Sequence, residues 1–72
     1  MSEKRTIKIT TPYITLGQLL KLASLIGNGG EAKAYLATHE VLVNGEPDAR
    51  RGRKLYPGDV VKTQDVTLGV DS

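Results

Sequence analysis

The sequence has no cysteine, no tryptophan and no phenylalanine. Without cysteine there is no disulfide to staple the fold, no thiolate nucleophile and no thiolate metal ligand. That absence suits a reducing compartment. With three tyrosines as the only aromatic residues, a core has to be built from Leu, Val, Ile and Ala. The one histidine, His39, is poorly placed for acid–base chemistry, which needs a partner within hydrogen-bond reach. Its neighbour Glu40 supplies no nucleophile, and the position suits a helix end, where a partly positive imidazole meets free carbonyls. No cluster has metal-ligand spacing, and Asp48 and Asp59 form no recognisable acid–base pair. No apolar run is long enough to span a membrane, and the charged start, Met1 to Arg5, opens no signal peptide. The expectation is a cytoplasmic protein that is not an enzyme, with no cofactor, no metal, no membrane and no small-molecule substrate.

What is present is short and unevenly charged. Seventy-two residues make one domain, taken as residues 1–72, and a chain of that size buries only about 60 % of its unfolded surface. The net charge is +2, so the distribution matters more than the sum. Basic residues gather at Lys4, Arg5 and Lys8, and again at Arg50, Arg51, Arg53 and Lys54, while acidic residues are spread singly. A basic stripe on a nearly neutral body points to a polyanion-binding face. The competing role for such a run is a solvated surface turn.

Periodicity places these residues on elements. Residues 5–9 alternate polar and apolar, which predicts a half-buried strand with Ile7 and Ile9 on one face, ended or held at an edge by Pro12. Thr15 with Gln18 spells a capping box, so a helix starts at Thr15. Leu16, Leu19, Leu20, Ala23 and Ile26 follow at helical spacing, with Leu22 and Leu25 widening the stripe and Lys21 and Ser24 left wet. Gly17 weakens this helix by about 1 kcal/mol against Ala and permits close approach of another backbone or a ligand. Gly27-Asn28-Gly29-Gly30 breaks it. A second helix runs from Glu31 to Thr38, N-capped by Asn28 or Gly30, with Ala32, Tyr35 and Leu36 inward.

Val41 to Val43 read as a strand. Asn44-Gly45 then carries the strongest short hairpin signal, because both positions tolerate positive φ. Pro47 restricts the return, residues 46–49, to a sheet edge. Leu55-Tyr56 is extended, Pro57-Gly58 suits a type II turn, and residues 60–63 form a further strand. The tail alternates through Val66, Leu68 and Val70 and reads as another strand or a loose end. The fold class expected is α+β, two packed helices against a small, mostly antiparallel sheet.

Gly27, Gly29 and Ala32 match the G-x-G-x-x-A dinucleotide fingerprint in form. That motif needs a strand before it, and the segment here reads as a helix. The sharper candidate is the run at Arg50, Arg51, Arg53 and Lys54. Arg presents a planar fork that matches phosphate bidentately, and Gly52 lets the chain turn so that the side chains fan over a surface. Backbone N–H groups at the start of the second helix offer a further phosphate position. Tyr35 and Tyr56 are candidates for base stacking, with core packing the competing role for both.

The order of helix, Gly-rich turn, short helix, Val41-Leu42-Val43-Asn44-Gly45 hairpin and Leu55-Tyr56-Pro57-Gly58-Asp59-Val60-Val61 resembles the S-four RNA-binding domain, the αL-type fold. The likeness covers about residues 15–61. Glu31-Ala32-Lys33 looks like the Glu-Ala-Arg that opens the family's second helix. The segment Arg50 to Tyr56 is similar to the short stand-alone bacterial branch, the YaaA type, which carries no catalytic domain. The resemblance implies docking on structured RNA, rRNA or tRNA, in a ribosome- or translation-associated role. It implies an interface of Thr15, Gly17, Asn28, Gly29, Gly30, Lys33, Arg50, Arg51, Arg53 and Lys54. Two family positions depart: Thr15-Leu16-Gly17 stands where Arg-Leu-Asp is common, and Asn28-Gly29 where Ser-Arg is. Each change removes a basic contact and leaves the later run to carry the charge. Two other readings remain open on sequence. One is a protein-interaction adaptor for an acidic or ribosomal protein; the other is an accessory domain acting beside a catalytic chain.

Overall fold

The computed structural model describes residues 3–72. In chain order it has β1 (Glu3–Lys8), β2 (Ile14–Thr15), α1 (Leu16–Leu22), α2 (Glu31–Thr38), β3 (Leu42–Val43), β4 (Glu46–Pro47), β5 (Lys54–Leu55), β6 (Val60–Lys62) and β7 (Val66–Asp71). Five strands make one sheet in the order β1-β7-β6-β3-β4, and β2 pairs with β5 in a separate two-stranded ladder. Every pairing is antiparallel except β1 with β7, which runs parallel from Glu3↔Val66 to Lys8↔Asp71. The class is α+β, as the sequence led one to expect.

The core lies between the helices and one face of the sheet. Leu16, Leu19, Leu20, Ala32 and Leu36 from the helices join Val43, Val61, Val66, Leu68 and Val70 from the strands in one buried cluster. The tail is therefore a strand and an inner one: alternation along β7 buries Val66, Leu68 and Val70 and leaves the residues between them half-exposed. Thr63 sets the turn into it. Its buried hydroxyl donates to the Val66 carbonyl and accepts from the Asp65 and Val66 N–H groups.

Both β-turns form where the sequence placed them. Asn44 and Gly45 have φ of 51° and 86°, joining β3 to the edge strand β4. Gly58 has φ 99°, and the Asp59 N–H closes the turn on the Tyr56 carbonyl at 2.9 Å. The first helix differs from expectation at its end. It stops at Leu22 instead of running on to Ile26. Ser24 takes a left-handed φ of 62°, Ser24 N–H donates to the Lys21 carbonyl and Leu25 N–H to the Leu20 carbonyl, which is a Schellman cap. The Arg5 guanidinium adds a bond to the Ala23 carbonyl at 3.1 Å. The chain leaves the helix axis there, so Leu22 is 57 % exposed and does not widen a buried stripe. Leu25 packs half-buried against the core, and the connection to α2 takes in residues 23–30.

Candidate nucleic-acid interface

The basic run is seated on the N-terminal end of α1. Leu16 N–H donates to the Arg53 carbonyl at 2.8 Å and Gly17 N–H to the Arg51 carbonyl at 2.9 Å. Gln18 N–H goes to the Thr15 hydroxyl at 3.3 Å, and the Gln18 side chain accepts the Thr15 N–H, completing the capping box. These bonds satisfy N–H groups that a helix start leaves free. Gly17 allows the approach: a Cβ there would stand 3.4 Å from the Arg51 carbonyl oxygen and 3.5 Å from the Ala32 Cβ. Its close neighbour is thus the loop backbone on one side and α2 on the other. Leu16 and Gly17 hold the loop in place through these contacts, and Thr15 is paired with Lys54 in the β2–β5 ladder.

Asp48 fixes the direction of two of the four cations. Its carboxylate accepts from the Arg50 Nε at 3.1 Å and Nη2 at 2.9 Å, from the Arg50 backbone N–H at 2.9 Å, and from the Arg53 Nη1 at 2.9 Å. The Asp48 side chain is 7 % exposed while that of Arg50 is 72 % exposed. The acid is buried beneath the loop and the base points outward. The Arg50 side-chain bonds hold the Asp48 carboxyl far below the usual carboxylate range, against the opposing effect of burial, with the Arg50 backbone N–H and Arg53 adding to the lowering. The same bonds raise the Arg50 guanidinium further. Each guanidinium keeps N–H groups beyond those given to Asp48, free to meet a second anion. Arg51 is exposed. Arg50, Gly52, Arg53, Lys54, Tyr56 and Asp59 line one shallow groove.

The start of α2 is already occupied by its own side chains. Asn28 Oδ1 accepts from Glu31 N–H at 3.2 Å, and Glu31 returns its carboxylate to Gly27 N–H at 3.1 Å and to Asn28 Nδ2 at 3.4 Å. Asn28 therefore caps through its side chain, while Gly30 occupies the N-cap position without a side-chain bond. The Glu31 carboxylate already meets the positive end of the dipole. Asn28, Gly29, Gly30 and Lys33 are all exposed, and Ala32 connects their helix to Gly17 and hence to the loop. The segment before the Gly-rich turn is a helix, so the dinucleotide fingerprint lacks its strand. His39 closes the far end of α2: its N–H bonds the Tyr35 carbonyl, and its ring stacks on Tyr35 at 4.0 Å and 6°.

Two residues of this region carry no motif in the sequence. Asp48 lies two and five positions before the arginines it organises, a spacing that only the loop's turn converts into contact. Tyr13 meets Tyr56 across the β2–β5 ladder, with ring centroids 5.7 Å apart, and Lys54 Nζ stands 5.1 Å over the Tyr13 ring. Among the described residues no group of His, Asp and Glu is placed to hold a metal ion, and no helix is long and apolar enough to cross a membrane.

A helix pair whose first turn carries a cationic loop, followed by an Asn-Gly hairpin and a Pro-Gly-Asp turn, defines a class, and comparison with known proteins agrees. The model of the S4 domain family matches residues 7–71, and the chain belongs to that family. The match takes in β7, beyond the 15–61 stretch legible by eye. Among characterised relatives, the chain is 66 % identical over 58 residues to the probable ribosome maturation protein RlbA of Bacillus subtilis (strain 168). The aligned region covers 81 % of this chain and 82 % of that protein.

Proposed function

We propose that this chain is a non-catalytic RNA-binding module that docks on structured ribosomal RNA. The observation that carries the reading is the loop Arg50–Lys54, hydrogen-bonded onto the first turn of α1 with the guanidinium groups of Arg50 and Arg53 held by Asp48. Membership of the S4 domain family supports RNA as the ligand. The name of the Bacillus relative, a probable ribosome maturation protein, favours rRNA over tRNA. Arg50, Arg51, Arg53, Lys54 and Lys33 neutralise phosphates. Thr15 and Gly17 seat the loop, and Asn28, Gly29 and Gly30 lie exposed at the start of α2. Contacts of this kind supply affinity and orientation with little base information.

The test is fluorescence anisotropy with rRNA fragments, tRNA and duplex DNA across a salt series. Neutralising about four phosphates gives a slope of log affinity against log salt of roughly −3 to −4. Changing Arg50, Arg51, Arg53 and Lys54 together to Ala abolishes binding, and changing Arg51 and Lys54 alone, which leaves both Asp48 pairs in place, flattens the salt slope by roughly 1.5–2 with the circular dichroism spectrum intact. A folded wild-type protein that binds no RNA, or binds it with no salt dependence, would falsify the reading and favour a protein-interaction adaptor.

A further inference from the structure

The aromatic pair at the rim of the groove has no role in the core. Ile14 and Leu55 face each other across the β2–β5 ladder and are buried at 7 % and 0 % exposure. Strand alternation then turns their neighbours, Tyr13 and Tyr56, to the opposite side, where they are 39 % and 49 % exposed. In a chain with three aromatic residues, two are thus set in water side by side. The third, Tyr35, is already stacked on His39.

We propose that the Tyr13–Tyr56 pair is a stacking platform for an unpaired nucleobase, so that the chain selects RNA with a bulge or loop over continuous duplex. This rests on the RNA-binding reading above and specifies which RNA the groove accepts. Lys54 covers the Tyr13 ring, which leaves the Tyr56 ring to take the base. Tyr56 walls the same groove as Arg50, Arg53 and Lys54, so a base lying on it has its flanking phosphates beside those cations. The backbone that carries the ring is also fixed. The Tyr56 N–H donates to Asp59 Oδ2 at 2.8 Å, the Asp59 N–H returns to the Tyr56 carbonyl, and Pro57 stiffens the following turn. An exposed ring on a fixed turn beside a phosphate clamp is the arrangement by which unpaired bases are held without sequence readout. A continuous duplex keeps its base faces stacked on one another and offers the ring nothing.

The experiment compares two RNA hairpins of equal phosphate count, one fully paired in its stem and one carrying a single bulged adenine, which is also replaced by 2-aminopurine as a stacking reporter. Wild-type protein binds the bulged RNA about five- to a hundredfold more tightly, the range expected for one base–aromatic stack, and quenches the 2-aminopurine. Tyr56→Leu removes the preference and the quenching, and Tyr56→Phe retains both. Equal affinity for the two hairpins, or a preference that survives Tyr56→Leu, overturns the platform and leaves the phosphate-docking reading standing. Binding to neither hairpin, by protein shown to be folded, overturns both.

Discussion

The carboxylate of Asp48 subtracts charge from the loop and at the same time holds two of its guanidinium forks still. The two effects oppose each other, and their sizes decide the outcome. A unit charge about 5 Å from a phosphate is worth roughly 1 kcal/mol in water-like dielectric, less under physiological screening. Ordering a long side chain costs about 0.5–1.5 kcal/mol on binding, and Asp48 orders both Arg50 and Arg53 in advance. Pre-ordering wins. Asp48→Asn is expected to weaken RNA binding by about three- to tenfold at 0.15 M salt, with a smaller loss at low salt, where the removed negative charge counts for more. A variant that binds more tightly at both salts would sink this account. Stability carries its own signature. Hydrogen bonds to a charged group are worth about 1.5–3 kcal/mol, and the folded carboxyl lies below its unfolded pKa of about 3.9. The contribution is therefore full above that pH and is lost as pH falls through it toward the folded value. Urea curves of wild type and Asp48→Asn should stand apart at pH 7 and draw together on acidification below about pH 4. The sequence shows the four cations plainly. It does not show Asp48 as their organiser, because a lone acid near arginines has no fixed geometry until the loop turns.

At the scale of elements, α1 is legible at one end and not at the other. Its start is set by local chemistry, Thr15 and Gln18 three residues apart, and the capping box forms as read. Its end is set by Ser24 in the left-handed region, a conformation that glycine usually supplies at this position of a Schellman cap. Leu25 and Ile26 keep the helical spacing past the true end, so the apolar pattern runs on while the backbone turns away. Placing a non-glycine residue there costs about 1–2 kcal/mol, and glycine's extra unfolded-state entropy recovers only part of that. Ser24→Gly is expected to raise stability by about 0.5–1 kcal/mol and the melting temperature by a few degrees, without changing RNA affinity, since the loop sits on the opposite end of the helix. A fall in melting temperature would mean that the Ser24 side chain contributes something the backbone geometry does not show. The turns at Asn44-Gly45 and Pro57-Gly58 were readable for the same reason as the helix start: each needs only neighbours in sequence.

For the whole molecule, the least legible feature is the one that joins the two ends of the described chain. The parallel pairing of β1 with β7 leaves no local trace, because period 2 reports that a segment is extended and half-buried but not which strand lies beside it. The tail could thus be read as a strand or a loose end, whereas the structure makes it the strand between β1 and β6. The Tyr13–Tyr56 contact was hidden in the same way, by a pairing of β2 with β5 across most of the domain. Leu68 tests the placement of the tail. It is fully buried at 0 % exposure, and truncating such a leucine costs about 2–5 kcal/mol. A domain of this size has only about 4–11 kcal/mol in total. Leu68→Ala is therefore expected to remove a large part of the stability, seen as a drop in the urea midpoint. Val60→Ala, at a position 41 % exposed on the same sheet, stays within about 1 kcal/mol of wild type. A loss under 1 kcal/mol would return the tail to a loose end.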